Sequence, residues 1–169
     1  MKLGISGSHS TGKSTLAKKL AKELSLPIVT ESARSFEIHK VSSIEKYSEI
    51  QIKILQKQIQ EELKYDKFVT DRTVIDNLAY WMSICSNSAS DSDNEYYICT
   101  VLNHLSNYDK FIYVPINLPV VDDGFRFISK SFQENIDDII RTLLILYTDF
   151  IKVDVRDENI IKNIKKNLF

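Results

Sequence analysis

A three-layer α/β fold, with five parallel strands in one sheet and helices on both faces, is what the sequence predicts, and three observations predict it. Short apolar runs alternate with segments of helical period along the chain, and a glycine-rich turn sits between the first run and the first helix. The third is that arginines and acids foreign to a core collect just after the strand candidates. Alternating strands and helices impose right-handed crossovers and a parallel sheet, whose ligands bind beyond the carboxyl ends of the strands.

Lys2 to Ser6 is the first strand candidate, after which Leu16, Ala17, Leu20, Ala21 and Leu24 recur at helical spacing. Pro27 opens a second strand, Ile28-Val29-Thr30, followed by the polar Glu31-Ser32-Ala33-Arg34. Next comes a lysine- and glutamine-rich helix with Ile52, Leu55, Ile59 and Leu63 on its apolar face and a polar face expected to be solvated. Phe68-Val69-Thr70 is a third strand ending in Asp71-Arg72, and Asp76 to Ile84 reads as a helix carrying Leu78, Tyr80 and Trp81. From Ser86 to Asn94 the one apolar residue is an alanine, so a mobile surface loop is expected there. Phe111-Ile112-Tyr113-Val114 is a fourth strand, ended by Pro115, and Pro119 to Lys130 reads as irregular. Phe132, Ile136, Ile139, Ile140, Leu143, Leu144 and Tyr147 keep a helical period; Phe150 to Val153 is a fifth strand, and a basic helix ends the chain.

The 169 residues suit one domain, 1–169, that buries roughly two thirds of its unfolded surface. Fractions of 43% hydrophobic and 27% charged residues are those of a globular protein, and no run nears the roughly 18 apolar residues of a membrane span. A net charge of -1 supplies no global field toward a polyanion, so any nucleic-acid contact has to be local. Cys85 and Cys99 form neither a disulfide framework nor a metal spacing, and no signal peptide is read at the N-terminus. The expected compartment is therefore reducing and cytoplasmic.

Three of the four glycines, Gly4, Gly7 and Gly12, fall in the first dozen residues. Gly7-Ser8-His9-Ser10-Thr11-Gly12-Lys13-Ser14 satisfies G-x-x-x-x-G-K-[ST] between a strand and a helix. Such a loop turns successive N–H groups onto one anion and adds the positive end of the helix dipole. Gly7, Ser10, Thr11, Gly12, Lys13, Ser14 and Thr15 are the expected nucleotide contacts, with Lys13 on the β- and γ-phosphates and the Ser14 hydroxyl on Mg²⁺. A tight turn that only caps a helix is the bland alternative, and His9 sits at a variable position of the loop.

The other strand ends add chemistry. Asp71 suits a carboxylate that holds Mg²⁺ through water, and Arg72 a clamp on phosphate or acceptor; an Asp-Arg pair capping the next helix is the alternative. Glu31, with Arg34 three residues on, lies where a carboxylate takes the proton of an attacking hydroxyl, although a helix N-terminal acid reads equally well. Asp122-Asp123-Gly124-Phe125-Arg126 suits a lid, about 116–131, that closes over phosphates and brings Arg126 as an internal arginine finger; an ordinary Asp-Gly turn is the alternative. Only five arginines stand against 17 lysines, and Arg34, Arg72 and Arg126 each follow a strand. Tyr80 and Trp81 either stack a base or pack the core.

Gly7 to Thr15, Glu31-Ser-Ala-Arg34, Asp71-Arg72-Thr-Val-Ile-Asp76-Asn-Leu-Ala-Tyr80 and Asp123-Gly124-Phe125-Arg126 together resemble the small P-loop kinases related to the ribosylnicotinamide kinase domain of bacterial NAD-biosynthesis regulators. Nucleoside and thymidylate kinases are more distant relatives, and many phage-encoded proteins share the pattern. The resemblance covers nearly the whole chain and implies ATP and Mg²⁺ as cofactors. It also implies Lys13 and Arg126 on the phosphates, Asp71 near the metal, and Glu31, Arg34, Arg72, Asp76 and Tyr80 toward the acceptor. The ribosylnicotinamide kinase domain carries Asp-Thr-Asp where this chain has Asp71-Arg72-Thr73, and Asp-Arg is closer to the thymidylate and nucleoside kinase pattern.

The leading expectation is an ATP- and Mg²⁺-dependent kinase of a nucleoside, nucleotide or related small molecule, in the cytoplasm of a bacterium or phage-infected cell. One alternative is a kinase acting on a hydroxyl of DNA or RNA, served locally by Lys162, Lys165 and Lys166. Another is an ATPase switch acting on a partner. A homodimer is left open.

Overall fold

The computed structural model describes residues 1–36, 43–117 and 129–168, apart from the Arg34 side chain. The elements follow as β1 (Lys2–Ser6), α1 (Lys13–Leu24), β2 (Ile28–Val29), a single-turn helix (Ser32–Ser35), α2 (Ile44–Glu62) and β3 (Phe68–Asp71). Then come α3 (Val74–Tyr80), which widens into a π-turn over Trp81–Cys85, α4 (Asp91–His104), β4 (Lys110–Tyr113), α5 (Lys130–Tyr147), β5 (Phe150–Lys152) and α6 (Ile160–Leu168).

All five strands are parallel, in the order β2-β3-β1-β4-β5. The central β1 is therefore flanked by β3 and β4, with Ile5 opposite both Asp71 and Ile112. Because strand side chains alternate between faces, the sheet feeds two cores. Leu3, Ile5, Val69 and Ile112 pack with Leu16 and Leu20 of α1 and Ile160 and Ile164 of α6. Phe68, Phe111 and Tyr113 face the other way, onto Leu55, Ile75, Leu78, Val101, Ile136 and Ile140 of α2 to α5. Each fully buried aliphatic side chain stabilises the fold by about 1.5–3 kcal/mol.

The helices start where a side-chain oxygen can take up an orphan N–H. Ser43, Thr73, Ser90 and Ser129 cap α2, α3, α4 and α5. The Ser90 cap corrects the expected surface loop: Asp91–Asn94 form the first turn of α4, with Asp91 and Asp93 favoured at the positive end of its dipole. The expected solvated face of α2 holds for Glu45, Lys46, Glu49, Lys53, Gln56 and Gln60, which are exposed, and is corrected for four other polar residues. Ser48, Gln51, Gln58 and Glu62 are buried, whereas Leu63 is 65% exposed, and Gln58 donates to Thr70 Oγ1 on β3. Trp81 is fully buried and stacked on Tyr97 at 4.2 Å, so it packs the core. The predicted segment Asp122 to Arg126 lies outside the described residues, as does most of the predicted lid.

Candidate active site

The turn from β1 into α1 has no freedom to carry larger residues. Gly7 has φ +152°, and a Cβ there would lie 2.3 Å from the Val114 carbonyl oxygen at the end of β4. Ser10 and Gly12 are both left-handed, with φ 58° and 90°. Gly12 thus occupies the N-cap of α1 without a side chain to close it, and the first turn of the helix contains no acid. Where α2 to α5 each spend a serine or threonine on their first N–H groups, α1 has no side-chain cap, and the positive end of its dipole faces the loop.

Lys13 is buried in that concavity. Its Nζ donates to the Ser8 carbonyl and lies 3.3 Å from Thr11 Oγ1, which itself donates to Ser8 O at 3.1 Å. Ser14 is half-buried on the first turn and Thr15 exposed beside it. Helix α5 braces the loop from outside: Gln133 Nε2 donates to His9 O at 2.7 Å, and Phe132 stacks on the buried His9 ring. Tyr113 OH donates to Asp137 Oδ2 at 2.7 Å. Burial pushes the Asp137 carboxyl above its ordinary value, while the Tyr113 hydrogen bond, the Ser8 backbone and the Lys13 charge pull it down.

A second cluster adjoins the loop through Asp76. Oδ1 of this fully buried carboxylate accepts from Gly7 N–H at 3.1 Å and lies 3.4 Å from Arg72 Nη1. Its Oδ2 accepts from Thr73 N and Thr73 Oγ1 at 3.1 and 3.2 Å, closing a capping box at the start of α3. Thr73 Oγ1 also meets Ser6 Oγ at 2.7 Å. Arg72 in turn donates from Nε to Glu31 Oε1 at 2.6 Å, and its guanidinium lies 5.4 Å from the Tyr80 ring centroid. Tyr80 OH is 3.3 Å from His9 Nδ1. Burial alone would lower the Arg72 pKa, but the charges of Glu31, Asp76 and Asp71 outweigh it and hold the guanidinium firmly protonated.

The Glu31 and Arg72 side chains are each 5% exposed, so this is a buried ion pair joining the end of β2 to the end of β3. Arg72 also has φ +81°, a conformation that costs a non-glycine residue roughly 1–2 kcal/mol and persists only where its surroundings over-determine it. Asp71, the last residue of β3, is buried beside the end of β1.

The structure thus brings Gly7, Lys13, Glu31, Arg72, Asp76 and Tyr80 into one connected assembly, with Ser14 and Asp71 at its margin. Arg126 and the Arg34 side chain lie outside the described residues. Gln133 and Asp137 were not anticipated. A polar residue one turn before Ile136 on an apolar helix face was the available signal for Gln133; Asp137 gave none.

A family model described as an AAA domain matches residues 2–155. No curated protein matches the chain by sequence. Among solved structures the fold is similar to that of a deoxyadenosine kinase from M. mycoides with bound dATP, at 19% identity and TM-score 0.66, over 99% of this chain and 98% of that one. It is similar as well to YorR protein from Bacillus subtilis in complex with phosphorylated GDP, at 22% identity and TM-score 0.58, over 99% and 95% of the two chains. NadR protein in complex with NAD and AMP-PNP matches at 15% identity and TM-score 0.69, over 98% of this chain and 48% of that one.

Proposed function

The chain belongs to the AAA domain family, and we propose that within it the protein is an ATP- and Mg²⁺-dependent phosphotransferase that moves the γ-phosphate of ATP to a nucleoside, a nucleotide or a related small molecule. One observation carries this reading: Asp76 ties the first glycine of the phosphate loop and the Glu31–Arg72 pair into one unit. A loop that serves only to hold nucleotide has no need of a buried carboxylate–guanidinium pair aligned to it. The folds it resembles, solved with dATP or AMP-PNP, are consistent with a triphosphate at the loop.

In this reading the start of α1 and Lys13 would hold the β- and γ-phosphates, and Ser14 with Asp71 would hold Mg²⁺. The donor set fits that ion: Ser14 offers a half-buried hydroxyl on the first turn of α1 and Asp71 a buried carboxylate at the end of β3, and Mg²⁺ is characteristically held by one or two protein oxygens, phosphates and water. The bound ion would neutralise charge on the phosphates. Glu31, oriented by Arg72, accepts the proton of an acceptor hydroxyl as its oxygen bonds to the γ-phosphorus and the bond to the ADP oxygen breaks.

The test is incubation with Mg²⁺ and γ-labelled ATP against nucleosides, nucleoside monophosphates, ribosylnicotinamide and hydroxyl-ended oligonucleotides. Label on one small acceptor is expected. Label on oligonucleotides alone would move the activity to nucleic acid, and labelled free phosphate alone would make the protein an ATPase.

A further inference from the structure

Behind the strained turn at Arg72 lies a buried polar network that the phosphate chemistry itself does not require. Glu62, at the end of α2, is fully buried. Its Oε1 accepts from Gln58 Nε2 at 2.6 Å and from Tyr108 OH at 2.8 Å, and its Oε2 lies 2.7 Å from His104 Nε2. Burial, and then the charge and hydrogen bond of Glu62, hold the Tyr108 phenol well above its ordinary pKa, so it stays a donor.

Both outputs of the network go to one turn. Gln58 Nε2, one N–H of which goes to Glu62, shares the other between Thr70 Oγ1 at 2.9 Å and the Arg72 carbonyl at 3.3 Å, and Thr70 Oγ1 donates to that same carbonyl at 2.8 Å. Tyr108 OH accepts from Val74 N–H at 3.3 Å, on the far side of the turn. On the near side Arg72 N–H donates to Ile5 O of β1 at 3.0 Å. The left-handed backbone of Arg72 is therefore gripped at its N–H, its carbonyl and the second N–H after it. A slack turn would relax toward the ordinary conformations and swing the guanidinium off Glu31 and Asp76.

We propose that Gln58, held by Glu62, is a positioning residue for phosphoryl transfer: it locks the turn that aims Arg72 at Glu31 and Asp76. The catalytic half of this statement rests on the kinase reading above.

The test begins with the Arg72 Nε–H, whose NMR signal is identified by its loss in Arg72→Lys. In the wild-type protein it should exchange slowly with solvent. In Gln58→Met, which keeps length and volume but removes the donor, exchange should speed at least tenfold. In the labelled-ATP assay kcat should fall at least tenfold with the ATP KM within twofold, and the substitution should cost nothing further in the Arg72→Lys background. Unchanged exchange, or a loss in kcat that adds in full to that of Arg72→Lys, overturns the proposal. If Gln58→Met does not fold, Tyr108→Phe loosens the same turn while keeping its ring, and the same readouts decide. A wild-type protein that labels no acceptor overturns the kinase reading and the catalytic half with it; the exchange measurement needs no substrate and tells that failure from failure of the clamp.

Discussion

Replacing Arg72 by Met asks how much of the fold depends on the pair joining β2 to β3. Methionine keeps an unbranched apolar stem and removes the guanidinium, whose side chain is 5% exposed against Glu31 at 5% and Asp76 at 0%. The two acids feel this differently. Asp76 keeps Gly7 N, Thr73 N and Thr73 Oγ1 as donors. Glu31 loses the guanidinium it faces at 2.6 Å, and removing one member of a buried pair costs about 3–5 kcal/mol. In a chain of this length each kcal/mol lowers Tm by about 2–4 °C, so Arg72→Met should melt about 6–20 °C below the wild type. Adding Glu31→Gln takes away the buried charge, so the double variant should be more stable than Arg72→Met alone. Thermal and urea denaturation of Arg72→Met, Glu31→Gln and the double variant, followed by circular dichroism at neutral pH, measure both effects. Arg72→Met within about 1 kcal/mol of the wild type, or a double variant that loses the sum of the single losses, would refute this account of the pair.

Lys13→Ala should cut phosphoryl transfer by about 10²-fold or more, since in the proposed reading it removes the buried cation that holds the phosphates, while far-ultraviolet circular dichroism stays that of the wild type. Full activity in that variant would sink the assignment of the loop. Asp137→Asn addresses pH dependence: burial raises the folded carboxyl above its unfolded value, so its contribution is fully present below about pH 4 and is lost as pH rises through the folded value. The amide keeps an oxygen for Tyr113 OH and cannot ionise, so the Tm of Asp137→Asn relative to wild type should rise between about pH 4 and pH 7. A difference in Tm that is flat across that range is the contrary result.

The strand ends were legible because their chemistry follows from sequence order alone. Gly7 to Ser14 between an apolar run and a helical period, and Glu31 and Arg72 just past two further runs, already place phosphate donors and a carboxylate on one edge of a parallel sheet. The grip behind that edge was not legible. Periodicity on α2 marks Ile52, Leu55, Ile59 and Leu63 as the apolar stripe, and a glutamine or glutamate beside such a stripe reads as solvated unless its partners are known. Those partners, Thr70, the Arg72 carbonyl, His104 and Tyr108, come from β3 and the turn after it, from the end of α4 and from the connection to β4, and tertiary pairing alone brings them to Gln58 and Glu62. The same holds for Arg72: its identity pointed to phosphate or acceptor, but its φ of +81° and its two carboxylates appear only once β2, β3 and the phosphate loop are side by side. A backbone conformation that costs energy in isolation is kept where several separate segments each hold one of its groups. Here β1 holds the Arg72 N–H, α2 and β3 its carbonyl, and the end of β2 its side chain. This turn is thus a point through which a change in α2, β2 or β3 would reach the phosphate loop, by way of Arg72, Asp76 and the Gly7 N–H.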